Sequence, residues 1–171
     1  MTATDKLLGW YDQNARLLPW RQTDDPYAIW VAEVMLQQTR VETVIPYYQE
    51  WLKVFPDVHS LALADTDKVL QLWEGLGYYR RAHNLQRAAQ IIVNDHEGRL
   101  PASVEALKQL PGIGSYTASA IGAIAFGVDT IALDGNLRRV LSRLFDIADP
   151  LPSAAAERRF QARALAMLPA G

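Results

Sequence analysis

A chain of 171 residues, half of them hydrophobic, suffices for one ordinary domain or for a compact domain with part of a second. The absence of cysteine excludes disulfides, a thiol nucleophile and any cysteine-ligated metal or iron–sulfur cluster within these residues, and His59, His83 and His96 lie too far apart for a zinc site, so no metal is expected here. A net charge of −2 excludes a protein that grips nucleic acid over its whole surface, though not one with a local DNA face. The apolar stretches fall short of the roughly 20 residues that span a bilayer, and the start of the chain lacks the pattern of a secretory signal. A soluble, cytoplasmic protein is the expectation.

Helical periodicity runs through nearly the whole chain without sustained apolar–polar alternation, which predicts an all-α fold. A first helix over residues 4–17 groups Leu7, Leu8, Trp10 and Tyr11 on one side. Asp25 followed by Pro26 predicts a capped helix start, and the helix runs to about Gln38. Another helix covers residues 41–55 and tolerates Pro46 near its start. Asp57 and Asp65 cap two short helices ahead of Gly75. A long helix over residues 78–95 is closed by Gly98, and residues 103–110 form a helix stopped by Pro111 and Gly112. Residues 117–126 follow, rich in Ala and Gly. Leu137, Val140, Leu141, Leu144 and Phe145 then take the positions of an amphipathic helix that something apolar must cover. Residues 153–171 are helical at first and stop abruptly, which predicts a chain cut from a longer protein. Trp30, Trp51 and Trp73 are assigned to the core.

Two basic runs contain no acid: Arg80, Arg81 and Arg87 in the first, and Arg138, Arg139 and Arg143 in the second. Such runs are usually solvated faces and gain meaning only from their neighbours. Between two helices lies Leu110-Pro111-Gly112-Ile113-Gly114-Ser115-Tyr116-Thr117-Ala118. Its glycines permit a tight turn and close approach of the backbone, and the N–H groups opening the next helix point outward. A phosphate fits such a place, held by amides and the helix dipole without sequence preference. An ordinary helix–turn–helix connection is the plainer alternative.

Two carboxylates attract attention. Asp134, before a helix beginning near Leu137, reads as an N-cap, and a carboxylate there is also kept ionised by the helix dipole, so capping and a chemical role are compatible. Glu33, inside the apolar segment Trp30-Val31-Ala32-Glu33-Val34-Met35, lies either on an exposed stripe or partly buried; burial would raise its pKa and make it a proton donor near neutral pH. By analogy with sugar glycosidases, carboxylates in unlike environments divide the acid and anion-stabilising roles.

The hairpin segment resembles the helix-hairpin-helix signature of the DNA glycosylase superfamily that includes endonuclease III, with an acid about twenty residues later. Leu18-Pro19-Trp20-Arg21, Asp25-Pro26-Tyr27, Glu33-Val34-Met35-Leu36-Gln37-Gln38-Thr39, Gly75-Leu76-Gly77-Tyr78-Tyr79 and Leu133-Asp134-Gly135-Asn136 together resemble the A/G-specific adenine DNA glycosylases over nearly the entire chain. The resemblance implies a two-lobed fold: residues 1–25 and 131–171 in one, incomplete lobe and residues 26–130 in the other. It implies a catalytic group of Glu33, Asp134, Tyr116 and Asn136, with Glu33 protonating adenine N7 and assisting water, and Asp134 facing the sugar oxocarbenium ion. Trp20, Arg21 and Leu36 would line the base pocket. Gln38 and Tyr78 would wedge the base stack, and Leu110, Gly112, Ile113, Gly114, Ser115 and Thr117 would hold DNA. Bifunctional relatives carry a lysine where Tyr116 stands; a phenol forms no Schiff base, so water would be the nucleophile.

The implied partner is double-stranded DNA with an adenine mispaired with 8-oxoguanine or guanine, bound by a monomer that associates with the nucleoid through DNA. Family members continue into a four-cysteine segment holding a 4Fe-4S cluster and then a domain reading 8-oxoguanine; the cluster is expected only if the protein continues past Gly171. The alternatives are a thymine or uracil mismatch glycosylase on the same scaffold, and a non-catalytic DNA-binding module. Gln37 and Gln38 favour adenine, and a mere binding module has no need of acids at both 33 and 134.

Overall fold

A computed structural model describes residues 2–148 and 153–168; the expected stop at residues 169–171 lies outside them. Among the described residues there are ten α-helices, one 3-10 turn and no strand. The helices are α1 (Ala3–Asn14), α2 (Pro26–Leu36), α3 (Val41–Val54), α4 (Val58–Ala62), α5 (Thr66–Trp73), α6 (Arg80–Asp95), α7 (Val104–Leu107), α8 (Ser115–Phe126), α9 (Gly135–Phe145) and α10 (Ala154–Leu165), with the 3-10 turn at Pro19–Arg21.

Most starts follow from local chemistry. Asp25 accepts the Tyr27 N–H at 3.0 Å, with Pro26 in the first helical position of α2. Asp57 and Ser60 form a reciprocal capping box on α4, while Asp65, Ser103, Asp134 and Ser153 cap α5, α7, α9 and α10. Several ends differ from expectation: α2 stops at Leu36 and α8 starts at Ser115. Helix α1 stops at Asn14. Helix α6 starts at Arg80, because Gly77 and Tyr78 both have positive φ, +70° and +49°, and cannot continue a right-handed helix. Helix α7 is one turn, Val104–Leu107, and the N–H groups of Gln109 and Leu110 then close tighter three-residue turns.

Helix α2 is the axis of the molecule. Eight of its eleven residues are buried, and it packs against α3, α6, α8 and the 3-10 turn. A helix apolar on nearly every face belongs inside a protein. Around it lies the large core, in which Trp30, Trp51 and Trp73 are completely buried, as the sequence predicts. The Trp51 ring meets Phe55 and Trp73 edge-on at 5.1 and 5.4 Å, and its N–H donates to the Tyr27 hydroxyl, which in turn donates to the Phe55 carbonyl.

A smaller apolar cluster, Leu133, Leu141, Ala156, Phe160 and Ala164, is shared by α9 and α10. Arg138 of α9 holds Glu157 of α10 through two hydrogen bonds, at 2.6 and 3.0 Å. Helix α1 buries nothing: Leu7, Leu8, Trp10 and Tyr11 are all exposed, and its tertiary hydrogen bond runs from the Thr4 hydroxyl to the Met167 carbonyl at 3.1 Å.

Candidate active site

Glu33 is the one charged residue of α2. It is half-buried and lines a cavity of about 470 Å³ together with Trp20, Arg21, Leu36, Tyr11 and Ile124. Sequence pattern left two readings of this residue open, an exposed stripe or partial burial, and the fold places it on the buried side. Desolvation raises its carboxyl pKa above the ordinary value of 4.5, because ionising it would place a charge against an apolar wall. Trp20 is itself buried, edge-on to Tyr48 at 5.4 Å. Arg21 is exposed, its guanidinium 5.4 Å above the Tyr11 ring and hydrogen-bonded to the Arg16 carbonyl. One cavity therefore gathers Glu33 and all three residues expected in the base pocket.

Asp134 ends the stretch between α8 and α9. One carboxylate oxygen accepts the Leu137 N–H at 2.7 Å and the other accepts the Asn136 amide at 3.2 Å; the Asn136 oxygen accepts from Arg139 at 3.0 Å. Both oxygens are thereby oriented, and the positive end of α9 favours negative charge at this place. Tyr116, near the start of α8, feels the charge of both acids. Burial raises its phenol pKa first, and the charges of Glu33 and then Asp134 raise it further, so the phenol lies within the field of both. Glu33, Tyr116 and Asp134 come from α2, α8 and the start of α9, and converge on one region.

The hairpin is α7, the turn through Gly112 and Gly114, and α8. Gly112 has φ +78°, and a Cβ there would lie 2.8 Å from the Asn84 Cβ on α6, so both the left-handed conformation and the close approach require glycine. Gly114 caps α8 without a side-chain bond, and Ser115 and Tyr116 are exposed beside it. Leu110, Ile113 and Thr117 are buried; these side chains anchor the turn, so any hold they have on a phosphate is through the backbone. The Thr117 hydroxyl also accepts from the Gln37 side chain at 3.2 Å, tying α8 to the end of α2.

Gln38 and Tyr78 are exposed neighbours on a second cavity of about 440 Å³, away from Glu33, and both have positive φ, +58° and +49°. Between them is Arg81. The basic run of Arg80, Arg81 and Arg87 is therefore not one solvated face: Arg81 is 9% exposed and its guanidinium points inward to backbone carbonyls. The signal was in the sequence, because residues 81, 85, 88, 89 and 92 share the apolar stripe of α6. Tyr11 and Arg16 at the cavity also escaped sequence reasoning, since they reach it from an exposed helix and a loop.

A half-buried acid at a cavity, a second acid at a helix start and a glycine turn between two helices define a helix-hairpin-helix protein. The chain belongs to the HhH-GPD superfamily of base excision DNA repair proteins, whose family model matches residues 31–163. It is similar to the adenine DNA glycosylase of Homo sapiens, 50% identical over 154 residues that cover 84% of this chain and 28% of that protein, and to that of Mycobacterium tuberculosis, 41% identical over 138 residues that cover 80% of this chain and 45% of that protein. The chain thus spans less than half the length of these relatives. Among solved structures, a thermostable thymine-DNA glycosylase superimposes with a TM-score of 0.87 at 26% identity, over 98% of this chain and 77% of that one. A non-covalent endonuclease III–DNA complex shares the fold, with a TM-score of 0.76 at 21% identity over 99% of this chain and 79% of that chain.

The residues present do not fit a 4Fe-4S cluster. The sequence holds no cysteine, and among the described residues no group of three His, Cys, Asp or Glu side chains could bind a metal ion. No helix among them is long and apolar enough to cross a membrane.

Proposed function

We propose that this chain carries the catalytic site of a monofunctional DNA glycosylase that hydrolyses the N-glycosidic bond of an adenine mispaired with 8-oxoguanine or guanine, leaving an abasic site. The observation that carries the reading is Glu33: the single acid of a largely buried helix, facing a cavity of about 470 Å³, ample for a base, with its carboxyl pKa held above the ordinary value. The 50% identity to an adenine DNA glycosylase supports adenine as the base.

A base in a duplex must leave the stack before it can be reached. In the proposed reaction, Gln38 and Tyr78 occupy the vacated place while the adenine enters the cavity beside Trp20, Arg21 and Leu36. Glu33 donates a proton to adenine N7. The C1′–N9 bond then breaks with its electron pair going to the base, and positive charge develops on the sugar. Asp134, with both oxygens fixed by Leu137 and Asn136, faces that charge. Glu33, now ionised, takes a proton from the water that attacks C1′, and the hydroxyl stays on the sugar. Phosphates lie against the amides that open α8. In this reading residues 26–130, joined in the core by Leu18 and Trp20, form one lobe, helices α9 and α10 belong to the other, Asp134 lies near the junction, and the protein acts as a monomer.

The test is single-turnover excision from duplexes holding adenine opposite 8-oxoguanine or guanine, run beside thymine and uracil mismatches. Adenine release is expected, and Glu33→Gln is expected to lower it by about 10²–10⁴-fold, the usual contribution of general acid catalysis, while duplex binding stays close to that of the parent. Preferred release of thymine or uracil would move the protein to another base class. Binding without release of any base would reduce it to a DNA-binding module.

A further inference from the structure

We propose that Arg81 is the positioning residue that fixes the two base-wedging turns relative to each other and to the helix carrying Glu33; the inference rests on the glycosylase reading above. Arg81 lies on α6, yet its two terminal nitrogens serve two other segments. One donates to the carbonyls of Val34, Met35 and Gln37, at 3.0, 2.9 and 2.6 Å. The other donates to the Leu76 and Gly77 carbonyls and to the Thr39 hydroxyl, at 3.1, 3.2 and 3.2 Å. The guanidinium carbon also lies 5.2 Å from the Trp73 ring centre and 5.6 Å from that of Tyr78.

These contacts join the two segments, and Thr39, just past α2, shares a nitrogen with the Leu76 and Gly77 carbonyls. The last carbonyls of a helix lack intrahelical partners, and one face of the guanidinium provides them for α2, one residue beyond Glu33. The chain then turns at Gln38 in the left-handed region. The other nitrogen holds the Gly75-Leu76-Gly77 turn, which delivers Tyr78, also left-handed. Both exposed wedge residues therefore follow directly from carbonyls bound to one rigid, planar group, and the width of that group sets the spacing of their turns. Nε is buried without an acceptor among the described residues, which adds to the cost that the other bonds offset. A lysine keeps the charge but offers three donors on a single nitrogen and no plane for Tyr78 to lie on, so it can hold one turn at a time.

The experiment uses a duplex with 2-aminopurine replacing the mispaired adenine opposite 8-oxoguanine, whose fluorescence rises when the base leaves the stack, together with single-turnover excision of adenine from a paired mismatch and from a single-nucleotide bulge, where unstacking costs least. The parent protein is expected to raise the fluorescence on binding. Arg81→Lys is expected to bind duplex within about threefold of the parent, to lose more than half of the fluorescence rise, and to excise the paired adenine about tenfold more slowly while the bulged adenine changes little. Thr39→Val, which removes a single acceptor and nearly preserves shape, is expected to move the same readouts in the same direction by less, and it stands in if Arg81→Lys does not fold. A full fluorescence rise and parental excision in both variants would overturn the proposal. So would an equal loss on paired and bulged substrates, which would make Arg81 a support of the fold alone. No rise with the parent on any mismatch would overturn the glycosylase reading, and the inference with it.

Discussion

Phe160→Ala offers a direct measure of how the chemistry depends on the small apolar cluster. Phe160 is fully buried, and the other buried members are Leu133, Leu141 and two alanines. Burying each of the three large side chains is worth about 1.5–3 kcal/mol, whereas truncating a buried Phe costs about 3–5 kcal/mol. The loss is therefore comparable with most of what holds α9 to α10. The expected outcome is local opening of these helices before the large core melts. All five tryptophans precede α9, four of them buried in the large core, so the two events have separate signals. Urea titration of Phe160→Ala should show ellipticity at 222 nm falling at lower denaturant than the tryptophan fluorescence shift. Hydrogen exchange should accelerate across residues 135–165. Asp134, the cap of α9 and next to the buried Leu133, should lose its fixed position, and excision should fall although no catalytic atom has changed. Coincident transitions, shifted together by the full 3–5 kcal/mol, would refute the argument by showing that both clusters unfold as one unit.

Asp134→Asn keeps a good N-cap but removes the charge, so its melting temperature should stay near the parent's while excision falls on the order of 10²-fold; Asp134→Ala should also lose about 1 kcal/mol of stability. Excision that needs protonated Glu33 should decline as pH rises through its raised pKa, and Glu33→Gln should flatten that limb of the rate profile. The same shift has a sign for stability: the favourable contribution of neutral Glu33 is fully present below its ordinary pKa of 4.5 and is lost as pH rises through the raised folded value, so Glu33→Gln should raise the melting temperature near neutral pH and leave it unchanged in acid. Because Tyr116 supplies no amine, borohydride added during turnover should trap no covalent protein–DNA adduct on a denaturing gel, and strands should break only after alkali or heat.

Much of this fold is legible in the sequence because helix starts are local. Asp25-Pro26, Asp57, Asp65 and Asp134 each satisfy N–H groups two or three residues away, and those bonds appear where the residues predict them. The cavity trio of Trp20, Arg21 and Leu36 around Glu33 was legible only through family resemblance, since nothing local places a 3-10 turn beside a helix. What stayed hidden depends on distant partners. Arg81 serves carbonyls more than forty residues earlier in the chain, and although its place on the apolar stripe of α6 signals burial, nothing local names those partners. The start of α6 was misplaced for a related reason: the left-handed Tyr78 is held by the same arginine, so tertiary contact overrides the helical pattern.

Helix α2 has a consequence for retargeting the protein to another base. Val31, Ala32, Val34 and Met35 around Glu33 are committed to packing, and any change that shifts the acid must also shift α3, α6 or α8. Part of the cavity wall is different: Arg21, Thr23, Asp24, Val41 and Ile124 lie outside α2 and are exposed or half-buried, whereas Leu18, Trp20 and Ile29 are packed into the core. On the proposed reading the proton donor Glu33 is thus a fixed fitting and these five positions around it are interchangeable, so a library meant to alter which base is accepted should vary those five residues and leave α2 untouched. A thymine-DNA glycosylase that shares this backbone with a TM-score of 0.87 at only 26% identity illustrates how widely side chains vary on one frame.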